Sequence, residues 1–186
     1  MCGRFAFFDN TKFNIKDNFF PNYNISPGSK VYALIDEDNV IKINWSLSPS
    51  WSSTIKIINA RAETLDIKSS FKNTERCIFL ADGYFEWKKE KFTKIPYYHA
   101  FKNKTMFLAG IYNSTGACIV TRSSYPKLAK IHHRQPVILD YSSLSSWFKK
   151  CHDYTCSFSE ELIIYPVTTK VNSTLNNFQD LISKME

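Results

Sequence analysis

The sequence predicts an α+β fold: one curved, mostly antiparallel β-sheet, barrel-like, with peripheral helices. Three observations carry this prediction. Short β-type runs dominate the chain, turn signals such as Asp38-Asn39 and Asn103-Lys104 separate several of them at hairpin spacing, and helical periodicity is confined to a few short stretches. Turns this close together favour antiparallel hairpins over βαβ units, which need long crossovers.

Val31–Ile35 and Val40–Trp45 open the series of strands, the second alternating apolar and polar residues as VIKINW. Cys77–Ala81, Tyr97–Phe101, Thr105–Tyr112, Ala117–Thr121, Pro136–Leu139 and Leu162–Val167 continue it. Ser143–Lys150 carries Leu144, Trp147 and Phe148 at i, i+3 and i+4, the stripe of a surface helix, with Ser142 or Ser143 as its N-cap. Phe13–Phe20, Ser124–Ile131 and Leu175–Lys184 are weaker helical stretches. No repeat, low-complexity tract or Pro/Gly linker interrupts the chain, so residues 1–186 read as a single domain.

With 186 residues, 44% hydrophobic and 22% charged, the chain can bury one sizeable core and reads as a soluble globular protein. No apolar run is long enough to span a bilayer, and MCGRFAFFDNTKF lacks the apolar core of a secretion signal. Cys2, Cys77, Cys118, Cys151 and Cys156 form an odd set without a CxxC pair, which argues for a reducing, intracellular location and against a disulfide framework. Cys151-His152 with Cys156 lacks the rest of a tetrahedral zinc set, so neither metal nor cofactor is expected. Nothing requires more than a monomer.

The net charge of +7 is unevenly placed. Between Lys88 and Arg134 every charged side chain but Glu90 is basic, and Phe92, Tyr97, Tyr98, Phe101 and Phe107 are interleaved with them. Basic residues mixed with aromatics suit a polyanion whose bases stack, single-stranded nucleic acid above all; a solvated lysine-rich face is the other reading.

Four polar stretches stand in strand-like contexts: Trp45–Trp51, Asn59–Glu63, Asp82–Trp87 and His132–Pro136. Glu86 lies between Phe85 and Trp87, a setting that desolvates a carboxyl, raises its pKa and suits a general acid. His132 can hold or shuttle a proton. Arg4, Arg61 and Arg134 can bind phosphate bidentately. Trp45 reads as core, whereas Trp51, among Ser and Pro, reads as exposed. Cys2 follows Met1 directly. Removal of Met1 would leave a free α-amine and a thiol on adjacent carbons, and an α-amine titrating near pH ~8 can form a Schiff base.

Taken in order, Met1-Cys2-Gly3-Arg4-Phe5, Tyr23–Pro27, Trp45-x-Leu47-x-Pro49-x-Trp51, Asn59–Glu63, Ala81–Trp87, Ile131–Leu139 and Pro166-Val167 to Val171-Asn172 resemble the SOS response-associated peptidase (SRAP) family, the abasic-site shielding proteins. The resemblance runs from residue 1 to about 172. It implies a protein that finds abasic sites in single-stranded DNA and joins the ring-opened aldehyde through an N-terminal cysteine as a thiazolidine. By position, Cys2 is then the nucleophile, Glu86 the acid/base, His132 an aid to proton transfer and reversal, and Asn59 the residue that positions the joined cysteine. Arg4, Arg61 and Arg134 would grip phosphates, Trp51 would wedge beside a base, and Thr121 would line the site. Ser46 stands where the family usually has Gly, Gln135 where Met is common, and Thr121-Arg122-Ser123 replaces a smaller run. A cysteine peptidase acting through Cys2, His132 and Glu86, including removal of Met1 by the protein itself, is the competing function, and a non-covalent single-strand binding module is a third.

Overall fold

The computed structural model describes residues 2–13, 15, 18–151 and 161–185. Its strands are β1 (Arg4–Phe7), β2 (Asn22–Ile25), β3 (Lys30–Leu34), β4 (Val40–Asn44), β5 (Asn59–Arg61), β6 (Glu75–Ala81), β7 (Gly83–Lys89), β8 (Lys94–Ala100), β9 (Met106–Asn113), β10 (Gly116–Ser123), β11 (Arg134–Pro136), β12 (Ile138–Leu139) and β13 (Ile163–Pro166). The α-helices are α1 (Pro126–Ala129) and α2 (Leu144–Phe148), with 3₁₀ turns beside them. The predicted α+β class with a curved, mostly antiparallel sheet and small helices is what the chain adopts.

The strands divide between two sheets, neither closed into a barrel. One has five strands in the order β13-β8-β7-β1-β2, and the other eight, ordered β11-β10-β9-β6-β3-β4 with β12 on β9 and β5 on β10. The exception among the paired strands is β5, parallel to β10 through Ile119↔Asn59, Val120↔Ala60 and Thr121↔Arg61.

The sheets enclose the main core. Phe5 of β1 packs there on Trp45 (ring centroids 5.1 Å) and Phe79 (6.2 Å), and aromatic pairs of this kind add about 0.5–1.5 kcal/mol beyond their buried area. That packing anchors the chain three residues from Cys2. The outer face of the five-stranded sheet is covered as well: Ala6, Phe85 and Tyr98 pack there with Val167, Val171 and Leu181. With both faces buried, β1 and β7 lose the in–out alternation that marks a half-buried strand, which is why they are short or hidden in the sequence pattern.

Asp82, between β6 and β7, ties β1 down. Its backbone N–H donates to Ala6 at 2.8 Å, and its carboxylate accepts from the N–H groups of Phe8 (2.6 Å) and Asp9 (2.9 Å). The next residue must be glycine: a Cβ on Gly83 would collide with the Tyr98 ring and the His99 carbonyl.

The predicted strand Pro136–Leu139 is broken at Val137, whose N–H donates to Val120 (2.9 Å) while its carbonyl accepts from Ala109 (2.8 Å). This segment enters where β9 and β10 splay apart, pairing first with β10 and then with β9. The residues leading into it, 132–134, lie against the five-stranded sheet, His132 Nδ1 standing 3.9 Å from Glu86 Oε1.

The helices are shorter than predicted. Ser143–Lys150 contracts to α2, with Ser143 as its N-cap as expected but without a side-chain capping bond; the preceding 3₁₀ turn, Tyr141–Ser143, is capped by Asp140, whose carboxylate accepts from the Ser143 N–H (2.9 Å) and from both serine hydroxyls. Ser124–Ile131 reduces to α1 with Pro126 in its first turn, and Leu175–Lys184 to a 3₁₀ turn over Gln179–Ile182. Of Phe13–Phe20, residues 14, 16 and 17 lie outside the described residues and the remainder form no helix. The Cys151-His152 to Cys156 stretch lies outside the described residues beyond Cys151.

Candidate functional site

Cys2 stands two residues before the start of β1 and is fully buried in the main core. Its carbonyl accepts a hydrogen bond from Asn59 Nδ2 at 2.9 Å. The Asn59 Oδ1 is buried without a partner and so remains available as an acceptor. Asn59 owes its place to the residue before it. The Ile58 carbonyl accepts from Trp45 Nε1 (2.9 Å) and from the Ile119 N–H (3.1 Å), fixing the start of β5 between a buried tryptophan and β10. Trp45 is thus core, as its sequence context predicts.

Glu86 is 5% exposed on β7. β1 and β7 pair Arg4 with Phe85 and Phe5 with Tyr84, so antiparallel continuation brings Glu86 alongside the chain that leads from Cys2 into β1. Burial holds the Glu86 carboxyl above the ordinary range, opposed in part by His132. Phe85 and Trp87 are not what desolvates it, because period-2 alternation turns them to the opposite face. Tyr84 shares the face of Glu86, and both line a seam with His99, His132, Arg134 and Gln135 that has no room for a water molecule. Burial, with the Glu86 charge added, also pushes the Cys2 thiol up, so it stays protonated at neutral pH.

His132 follows α1, its N–H donating to Leu128 at 3.1 Å. Its Nδ1 stands 3.9 Å from Glu86 Oε1, 3.1 Å from the Arg134 N–H nitrogen and 3.0 Å from the Arg134 carbonyl oxygen. The Arg134 backbone therefore serves both states of the ring: its N–H donates to a bare Nδ1, and its carbonyl accepts from a protonated one. Gln135 supports the loop, Oε1 accepting from the Tyr125 N–H at 2.8 Å.

His99, which the sequence did not single out, lies behind Glu86. It is stacked on Tyr84 (4.5 Å, 12°), 1% exposed, and its Nδ1 is buried without a partner. Burial lowers its pKa to about 4, so it is neutral at pH 7. The signal was available in principle, since β8 pairs Tyr97 with Glu86 and His99 with Tyr84, but only once the hairpin is known.

The arginines differ sharply. Arg134 is 8% exposed and donates to Glu63 through two bonds of 2.6 and 2.9 Å, and to the Thr121 carbonyl at 2.7 Å. This pairing holds the Glu63 carboxyl down at about 2. Glu63 completes the Asn59–Glu63 run, yet nothing local reveals that its partner lies in residues 132–136. Thr121 is wholly buried between Ala60, to whose carbonyl it donates at 3.3 Å, and Arg134. Arg61 is exposed, on the same face of β5 as Asn59. Arg4 sits on the outer face of the five-stranded sheet, its Nη1 donating to Asn24 Oδ1 and to the Val171 carbonyl, both at 2.7 Å, beside the Trp87 ring. Trp51 is 59% exposed on the turn closed by Ser52 N–H to the Pro49 carbonyl. The fold thus gathers Cys2, Asn59, Glu86 and His132, sets Thr121, Arg134 and Arg61 beside them, and leaves Arg4 and Trp51 at separate positions.

Among the described residues no group of three or more His, Cys, Asp or Glu side chains is placed to hold a metal ion, and no helix is long and apolar enough to cross a membrane. A roomier cavity of about 430 Å³, lined by Phe13, Phe101, Phe107 and Tyr141, shares none of the site residues.

Comparison with known proteins gives the chain's family. The family described as SOS response associated peptidase (SRAP) matches residues 1–174. The chain is 33% identical to the abasic site processing protein YoqW of Bacillus subtilis over 98% of its own length and 99% of the relative's. It is 31% identical to YoaM of the same organism, also called an abasic site processing protein, over 98% and 97% of the two chains. A crystal structure of a Bacteroides thetaiotaomicron protein superposes with a TM-score of 0.75 at 25% identity, covering 89% of this chain and 86% of that one. With the match spanning nearly the whole chain, the protein belongs to the SRAP family.

Proposed function

We propose that this protein processes abasic sites in single-stranded DNA by joining them to Cys2 as a thiazolidine, once Met1 has been removed. The observation that carries the reading is the grouping around Cys2: a buried thiol, an asparagine holding its carbonyl, and a desolvated carboxyl beside a histidine. Relatives alike over their whole length are named abasic site processing proteins, which supports the same substrate here. Such a role belongs inside the cell, where DNA is replicated.

The chemistry follows from the protonation states. Glu86, whose carboxyl burial pushes toward its protonated form, donates its proton to the sugar ring oxygen as the hemiacetal opens, and the C1 hydroxyl gives up its own proton to solvent, leaving the aldehyde. The α-amine of Cys2 adds to the aldehyde carbon, and loss of water leaves an imine. Asn59 Oδ1, buried without a partner beside Cys2, would accept from that amine and direct its lone pair. The thiol, still protonated, cannot compete for the aldehyde as a thiolate, so amine precedes sulfur. Sulfur then bonds to the imine carbon, its proton passing to the ring nitrogen with Glu86 or His132 as carrier, and the five-membered ring closes. The exposed Arg61 would receive a flanking phosphate and Trp51 an adjacent base, while Arg4 and Arg134, already bound within the fold, would act only by exchanging those partners. No metal or cofactor enters this scheme.

The test is single-stranded DNA carrying one abasic site, incubated with the processed protein and run on a denaturing gel. A shifted band that resists heat is expected, absent for C2A and for a variant that keeps Met1. C2S should give only a borohydride-trappable Schiff base. Wild-type shift by C2A would overturn the reading.

The family's peptidase description keeps a second reading open, with Cys2, His132 and Glu86 as nucleophile, base and orienter, and with autocatalytic removal of Met1 compatible with either function. The raised thiol weighs against cleavage of other chains, because thiol proteases work through a lowered thiol pKa. Peptide cleavage in trans that is lost in C2A would favour it.

A further inference from the structure

The β7–β8 hairpin carries Glu86 near its base and ends in a turn closed by the Glu90 N–H donating to the Thr93 carbonyl at 2.9 Å. Phe92 stands on that turn 93% exposed, an aromatic ring left wholly in water. Lys89, Lys91 and Lys94 surround it, all exposed and in no ion pair among the described residues, while the turn's one acid, Glu90, is already bound to Lys88 at 2.6 Å. Lys89 and Lys94 face each other directly across the two strands. Like charges in that register destabilise a hairpin unless an anion lies between them.

Resting on the function proposed above, we infer that this hairpin tip is a second contact for the single strand that leaves the abasic site: Phe92 stacks on a base while Lys89, Lys91 and Lys94 take its phosphates. A polyanion neutralises the cross-strand lysines, and only a polyanion with unpaired bases also covers the ring, so single-stranded DNA fits both features and an acidic peptide only one. The geometry also fixes reach. From Glu86 to Lys89, where the strand ends and the turn begins, β7 climbs about 10 Å at ~3.3 Å per residue. At ~3.4 Å per stacked nucleotide the tip meets the strand about three to four nucleotides from the lesion, on one side of it.

The experiment measures non-covalent binding of an undamaged single strand by fluorescence anisotropy over a salt series, which separates this inference from the cross-linking chemistry. F92A should weaken binding about tenfold. The triple variant K89A/K91A/K94A should flatten the slope of log K against log salt by about 2, since each strand phosphate contributes ~0.7. K94E places opposite charges across the hairpin, so it should raise the thermal midpoint while lowering affinity, a combination a merely structural lysine does not produce. Covalent capture should show the polarity: with an abasic oligonucleotide cut back to about two nucleotides on one particular side, wild type and F92A should react at equal rates, and with about ten they should differ. Wild-type affinity and salt slope in both F92A and the triple variant would overturn the inference, as would losses confined to duplex DNA. A wild-type protein that binds strands but never cross-links would instead refute the proposed function and leave this contact standing.

Discussion

Asn59 Nδ2 donates to the Cys2 carbonyl at 2.9 Å, joining residues 57 apart in the chain. The bond fixes the backbone of Cys2 without occupying its thiol, and leaves Asn59 Oδ1 for the reacting amine. N59A should therefore cost only about 1 kcal/mol of stability, the net worth of one neutral hydrogen bond. Its cross-linking rate should fall tenfold or more, because displacement of a reacting group by an ångström costs far more in rate than in folding. Single-turnover gel time courses beside thermal melts check both; wild-type rates from N59A would remove Asn59 from the mechanism.

Glu86 predicts a pH signature. Its pKa is raised by burial, so folding favours the protonated form, and the stability it contributes is full below the ordinary glutamate range and lost as pH rises through the raised value. E86Q should accordingly be more stable than wild type at pH 8, with the gap closing toward pH 4. The cross-linking rate of wild type should be bell-shaped, limited at low pH by protonation of the α-amine and at high pH by ionisation of Glu86. In E86Q the rate should drop by about 10²-fold or more and the alkaline limb should vanish. An unchanged alkaline limb would assign it to another group.

His99 works in the opposite sense. Its pKa is depressed to about 4 from an ordinary 6.5, so its contribution is present above 6.5 and is lost as pH falls toward 4. Full loss amounts to about 3 kcal/mol for so buried a group. Urea midpoints measured between pH 7 and 4 should fall steeply in wild type and less in H99F, which cannot acquire the buried charge. Parallel curves for the two proteins would contradict this.

The Arg134–Glu63 pair predicts a split between structure and binding. R134M leaves the Thr121 carbonyl without its donor and should cost about 1–3 kcal/mol. E63Q leaves the buried Arg134 charge without its counter-ion and should itself destabilise by about 1 kcal/mol or more at pH 7, yet it releases Arg134 for phosphate, so DNA affinity should rise at low salt. Anisotropy titrations with E63Q decide the point: unchanged or weaker binding would mean that Arg134 stays committed to the fold.

Most strands are legible in the residue order, because alternation and turn chemistry are local. Val31–Ile35 and Val40–Trp45 fall within a residue of β3 and β4. β5 was hidden by its length: three residues held by Trp45 and β10 carry no period of their own. α2 was overextended because the stripe Leu144, Trp147, Phe148 reads on into Lys149 and Lys150, where Lys150 instead takes φ +58°. At the site, three of the four polar stretches hold Asn59, Glu86 and His132, and Cys2 stands out by its place after Met1, but His99 was invisible because nothing in Tyr97-Tyr98-His99 reports what β7 places opposite it.

Composition, alternation and side-chain chemistry thus determined the fold class, the family resemblance and a set of groups able to react. Tertiary structure alone decided which of those groups meet and which are already spoken for. Arginine has the same fork wherever it stands, yet Arg134 is bound to Glu63, Arg4 to Asn24 and Val171, and Arg61 is exposed. A residue's partners and its solvation are set by strand register, a property of distant segments brought together, and these settle its charge and its availability.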